Sequence, residues 1–184
     1  MNQIKINYHY ETVLSLLKKE AHGRELAKEL KASLTTIQRA LLDLRNYNVL
    51  DYKTEGKNHI FFIKKNLMAK TFLINAENYK LAKLLRRYSF LEPLFKEITE
   101  KCPNLLIMLF GSYAKFIPKE ESDIDIYVNT SDEKAKEVIE KLHDNLNVKI
   151  GKFNREDLLI QEIIKNHVII QGAETYYERL GFFK

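Results

Sequence analysis

Apolar residues recur at helical spacing from Tyr8 to Glu20, where Val13, Leu14, Leu16 and Leu17 form one stripe. Lys18 and Lys19 lie at its C-terminal end, the end that favours cations. Arg24 to Lys31 gives a shorter helix with Leu26, Ala27 and Leu30 inward, and Ser33 suits the N-cap of the next, Leu34 to Asn46. In that helix Ile37, Leu41, Leu42 and Leu44 supply the apolar face. The period then changes to two. Val49 to Lys53 and His59 to Lys64 read as strands on either side of the turn-rich Thr54 to Asn58. Helical spacing returns in Ala76 to Arg87, with Asn75 as its expected cap, and in Leu91 to Lys101. Asn104 to Phe110 is a continuous apolar run behind Pro103, the mark of a buried strand, and Asp123 to Val128 alternates as a second strand. A helix over Asp132 to Asn145, a strand over Asn147 to Lys152, and two helices separated by a short apolar stretch complete the chain. The expected class is α+β.

Composition narrows this picture. With 45% hydrophobic residues in a chain of 184, a substantial core is expected rather than disorder. No apolar run is long enough to span a bilayer, so no membrane association is expected. The start, MNQIKINYHYETV, lacks the apolar segment of a secretory signal. Cys102 is the only cysteine, so an internal disulfide is impossible, and a reducing, cytoplasmic setting is the expectation. Charge is unevenly spread. Residues 1–66 hold twelve Lys+Arg against seven Asp+Glu, and residues 67–184 hold eighteen of each, so the whole excess of +5 sits in the first third. That asymmetry points to a polyanionic partner for the N-terminal segment.

The order of elements there, three helices and then two strands around a tip, resembles the winged helix-turn-helix domains of prokaryotic transcription regulators. The resemblance lies in pattern over Tyr8 to Asn66 and implies binding to double-stranded DNA, with the helix over Leu34 to Asn46 entering the major groove. Its outward positions are then Thr35, Thr36, Gln38 and Arg39, with Arg45 further along. Gln and Arg can pair bidentately with adenine and guanine edges. Lys57, in the wing, is placed to meet a phosphate. Paired half-sites make a homodimer an expectation as well. The organisation expected is a winged helix over residues 1–66, a stiff helical linker over 67–88, and a second domain over 89–184.

The second domain carries the chemistry. Gly111-Ser112 ends the first buried strand. Gly111 lets the backbone approach a ligand, and Ser112 suits the cap of a short helix whose free N–H groups favour phosphate. After the polar loop Pro118 to Ser122, Asp123 and Asp125 stand two apart in a strand and therefore share one face. Like charges so close raise each other's pKa unless a cation lies between them. Mg²⁺ meets that need with one or two carboxylates plus phosphate oxygens. The pair, the metal and the Gly-Ser turn together suit nucleotidyl or phosphoryl transfer.

The run Leu109-Phe110-Gly111-Ser112, ten residues, then Asp123-Ile-Asp125-Ile resembles the signature of the nucleotidyltransferase superfamily related to DNA polymerase β, in the compact form of the minimal nucleotidyltransferases. The resemblance covers Leu91 to the C-terminus. It implies that Gly111 and Ser112 bind the phosphates of a nucleoside triphosphate, ATP being the expected one. It implies that Asp123 and Asp125 bind Mg²⁺ and carry catalysis. It also implies a helical protein partner, as for antitoxins that modify a helical toxin. The chain departs from the pattern at the third carboxylate of active members, whose matching position on the next strand reads as Lys149. Two functions are therefore carried forward. One is an enzyme moving a nucleoside monophosphate onto a partner. The other is a DNA-binding regulator whose second domain senses a nucleotide or partner without turnover. Tyr176, Tyr177, Phe182 and Phe183 are expected in a core more than against a base, and the five histidines show no metal-ligand spacing.

Overall fold

The computed structural model describes residues 6–183. Its contacts divide into two units, the first running to Tyr79 and the second spanning Lys80–Phe182. The division falls within a helix rather than at a loop.

In the first unit, Asn7 caps α1 (Tyr8–Leu16), its side chain accepting from the N–H groups of His9 and Tyr10. A two-residue strand, β1 (Ala21–His22), follows. Two residues carry no periodicity, which is why the sequence pattern passes over it. His22 then caps α2 (Gly23–Glu29): its Nδ1 accepts from the Glu25 N–H at 3.2 Å, and Glu25 Oε2 accepts from the His22 N–H at 3.1 Å. This is a capping box with histidine in the usual Ser/Thr place. Ser33 caps α3 (Leu34–Asn46), as its position in the sequence leads one to expect. Ile37, Ala40, Leu41 and Leu44 are buried, but Leu42 is 54% exposed and does not belong to the inward face.

Asn48, at φ +60, ends the helix and turns the chain into β2 (Leu50–Glu55). β2 pairs antiparallel with β3 (Asn58–Ile63) around the Gly56–Lys57 tip, and β1 lies on the other side of β3. Helices plus this β1-β3-β2 sheet form a winged helix. α4 (Leu67–Arg87) runs unbroken for 21 residues. The expected cap Asn75 lies inside it, and Asn66 takes the capping role, its Oδ1 accepting from the Ala69 N–H at 2.8 Å. No glycine or proline interrupts residues 67–87, so nothing stops the helix earlier.

The second unit opens with α5 (Leu91–Lys101), which buries Leu91, Leu94, Phe95 and Ile98. Its four-stranded sheet has the order β6-β5-β4-β7, from β4 (Ile107–Phe110), β5 (Ile124–Val128), β6 (Leu146–Ile150) and β7 (Val168–Gln171). β4 runs antiparallel to both β5 and β7, and β5 runs parallel to β6, so the sheet is mixed. Between the strands lie α6 (Gly111–Ala114), α7 (Glu133–Glu140) and α8 (Leu158–Lys165), and α9 (Ala173–Leu180) follows β7. Ile107, Leu109, Ile124, Ile126, Val128 and Val148 pack with α5 and Ile139 into one core. Cys102 is buried in it. Tyr176 and Tyr177 are also interior, Tyr176 lying 5.8 Å from the Phe153 ring and 4.7 Å from that of His167. Among the described residues no helix is long and apolar enough to cross a membrane.

Candidate functional site

β4 and β5 meet at their open end, where Phe110 stands opposite Asp125. The chain leaves β4 through Gly111, whose φ of +70 only glycine adopts without strain. A side chain there has no room. A Cβ on Gly111 would overlap Asp125 Oδ2 outright and lie 2.9 Å from its Cγ and 3.3 Å from its Cβ. The glycine thus brings the backbone of the turn directly against the carboxylate. Ser112 lies inside α6 and does not cap it. The short helix starts one residue earlier than the sequence suggests, with Phe110 at the cap position. From α6 the chain loops through Pro118 to Ser122, closed by a hydrogen bond from the Lys119 N–H to Ser122 Oγ at 2.8 Å, and delivers Asp123 to the head of β5.

Asp123 is exposed, Ile124 buried and Asp125 half-buried, so the two acids stand on the same side of the strand. Burial pushes the Asp125 carboxyl above its ordinary range, opposed by a hydrogen bond from Asn147, and the charge of Asp123 pushes it further, opposed by the charge of Lys149. The Asn147 bond is short: Nδ2 donates to Asp125 Oδ1 at 2.7 Å. It leaves Oδ2 as the oxygen facing Gly111.

The third position differs from the sequence reading. The parallel register places Asn147 level with Asp125, and Lys149 one step on, level with Tyr127. Buried Val148 separates them, so Asn147 and Lys149 share the acid face. The signal was present in the sequence, because Leu146-Asn147-Val148 fits an apolar-polar-apolar slot as well as Val148-Lys149-Ile150 does. Only the register decides between them.

Residues 95–175 match the family described as Polymerase beta, Nucleotidyltransferase. This part of the chain is a polymerase beta-type nucleotidyltransferase domain. No curated protein matches the sequence. Among solved structures, the adhesin competence repressor AdcR of Streptococcus pyogenes is 18% identical over 50% of this chain and 69% of its own, with a TM-score of 0.40. A toxin-antitoxin complex with AMP-PNP is 24% identical over 58% of this chain and 86% of its own, with a TM-score of 0.33. A mutant of the MntA-HpeT toxin-antitoxin is 25% identical over the same shares, 58% and 86%, with a TM-score of 0.34.

The nucleotidyltransferase domain offers hard oxygen donors. Among the described residues, no three of His, Cys, Asp and Glu gather as metal ligands; Asp123 and Asp125 are the two carboxylates that share this face of the strand. Two carboxylates on one face, one of them packed against the Gly111 backbone, fit the chemistry of Mg²⁺, which takes one or two carboxylates and completes its shell with phosphate and water.

The exposed face of α3 divides into two. Gln38 lines a groove of about 460 Å³ shared with Arg24, Arg45, Lys57 and His59. Thr35, Thr36 and Arg39 line another, of about 630 Å³, beside Asn7, Tyr8 and His9. Thr35, Gln38, Arg39 and Lys57 are exposed. Thr36 is half-buried, and its hydroxyl lies 2.7 Å from Ser33 Oγ, so that hydroxyl is already engaged at the helix cap. Arg45 lies over the Tyr52 ring at 4.4 Å, and that ring stacks on His59 at 4.0 Å. This aromatic support fixes where the guanidinium stands. Arg24 and His59, which the sequence does not single out, line the same groove as Lys57 because the fold brings the start of α2 and the wing together.

Proposed function

We propose that the chain binds a nucleoside triphosphate with Mg²⁺ in its nucleotidyltransferase domain and moves the nucleoside monophosphate onto a partner protein, while its winged helix binds double-stranded DNA. The observation that carries the first part is the packing of Asp125 against Gly111. It sets the backbone of the Gly111 turn against one member of the carboxylate pair, within a stretch that matches the family. Asp123 and Asp125 hold the cation, Gly111 and Ser112 face the phosphates, and Asn147 keeps Asp125 turned toward them. Mg²⁺ held by these two carboxylates would supply positive charge to offset that of the phosphates. The acceptor oxygen replaces pyrophosphate on the α-phosphorus. Neither an amide nor an ammonium can take the acceptor's proton, so Asn147 and Lys149 supply no base. Absence of one commonly costs about 10²–10⁴-fold, so turnover is expected to be slow.

Incubation with ATP labelled at the α-phosphate, with Mg²⁺ and candidate helical partners, tests this. Label is expected on a partner with the native chain and not with Asp123→Asn. Label that persists in the variant would refute the assignment of the pair.

A second reading is favoured by Asn147 and Lys149 themselves. On that reading the domain senses a nucleotide or a partner without turnover, and the chain acts as a transcription regulator. Nucleotide uptake with no label on any partner would select it.

DNA binding rests on the basic excess of residues 1–66, on the winged fold and on the cations around α3 and the wing. A gel shift is expected to weaken steeply with salt, as counterions are released. Lys57→Ala should weaken all sequences alike and flatten the salt slope by about 1, whereas Arg39→Ala should cost about 1–3 kcal/mol at the preferred site. A shift indifferent to salt contradicts the phosphate contacts.

A further inference from the structure

Two-cation phosphoryl-transfer sites hold their ions about 3.5–4 Å apart, and such neighbours need carboxylate charge between them. The acid face here carries Asp123 and Asp125, and the two other polar positions on it are an amide and an ammonium. Asn147 has its Nδ2 committed to Asp125 Oδ1 at 2.7 Å, so what it can offer a cation is a neutral amide oxygen. Lys149 is exposed, on the same face, and near enough for its charge to be felt at Asp125. An ammonium on that face repels a second divalent ion there, since like charges repel. The same ammonium attracts phosphate.

We infer that the site is built for a single divalent cation, with Lys149 supplying the second positive charge to the nucleotide's phosphates and Asn147 orienting Asp125. The inference rests on the nucleotide-binding reading above. Asn147 is here a positioning residue and Lys149 a ligand-binding one.

Mn²⁺ stands in for Mg²⁺ because its bound fraction can be counted by paramagnetic resonance. The intact chain is titrated with Mn²⁺ in the presence of a non-hydrolysable ATP analogue, and ions and nucleotides per chain are both measured. One ion per bound nucleotide is expected for the native chain. Asn147→Asp adds a third carboxylate and is expected to admit a second ion. Lys149→Ala, at an exposed position that leaves the fold intact, is expected to tighten any second ion about tenfold or more and to weaken nucleotide binding. If Asn147→Asp does not fold, Lys149→Ala alone decides. Two ions of similar affinity in the native chain, or Lys149→Ala that leaves both ion count and nucleotide affinity unchanged, overturns the inference while leaving nucleotide binding intact. No nucleotide uptake at all, with or without Mn²⁺, removes the underlying reading instead, and the inference with it.

Discussion

Gly111→Ala is expected to abolish Mg²⁺-dependent nucleotide binding while leaving the protein folded. The new Cβ would occupy the place of Asp125 Oδ2. The flanking backbone is the end of β4 on one side and α6 on the other, so it has little freedom to retreat. The φ of +70 adds strain for any residue with a side chain, of order 1–3 kcal/mol. The easier response is rotation of the Asp125 carboxylate, which breaks its bond to Asn147 and turns it from the cation. Disturbing the orientation of a metal ligand commonly costs about 10–100-fold in metal affinity, and displacing the ligand itself should cost at least that. Calorimetric titration with Mg²⁺ and an ATP analogue measures the loss, and circular dichroism checks the fold. Native affinity in Gly111→Ala would mean that the glycine and the carboxylate do not form one site.

Asp125→Asn is expected to have two opposite effects. It removes a cation ligand, so metal-dependent nucleotide uptake disappears. In the absence of divalent ions, however, it should raise the melting temperature at neutral pH. Burial, aided by Asp123, lifts the Asp125 pKa in the folded chain above its ordinary 3.8. Between the unfolded and folded values the native state holds a proton that the unfolded chain has released. Stability therefore falls as pH rises through that window, and the deficit persists at neutral pH. Asparagine carries no charge to desolvate, and its Oδ1 still accepts from Asn147. The advantage of the variant should vanish below pH 3.8, where both chains are neutral at this position. With Mg²⁺ and nucleotide present the order should reverse, because ligand stabilises the native chain alone. Thermal melts in EDTA across pH, repeated with Mg²⁺ and the analogue, read all three outcomes. A variant less stable than the native chain at neutral pH in EDTA would contradict the electrostatic account of Asp125.

Both predictions depend on contacts of different legibility in the sequence. α3 and α5 could be read to the residue, because Ser33 caps the one and an apolar stripe with Pro93 in its first turn defines the other. The Gly-Ser turn and the aspartate pair were legible as chemistry, since i and i+2 on a strand must share a face. Contacts between elements were not. Nothing in the spacing of Gly111 and Asp125 announces that one packs on the other; antiparallel pairing of β4 with β5 does that. Register likewise chose Asn147 over Lys149 as the neighbour of Asp125, where pattern alone admitted both. At α4, Asn75 offered a plausible cap, but a cap acts only where the preceding chain leaves the helix. Leu67 to Ile74 are themselves good company for a helix, so the start moved back to Asn66. Leu42 shows the same limit. An apolar residue in a helix belongs to the core only if its angle matches the stripe, and Leu42 falls on the outward side with Gln38 and Arg45.

Calorimetric titration of the intact chain with a non-hydrolysable ATP analogue, with and without Mg²⁺, tests the central claim most directly. One nucleotide is expected to bind each chain when Mg²⁺ is present and none in EDTA, and Asp125→Asn should show no binding in either. Binding that is equally tight without Mg²⁺, or that survives unchanged in Asp125→Asn, would contradict a cation held by the aspartate pair beside Gly111.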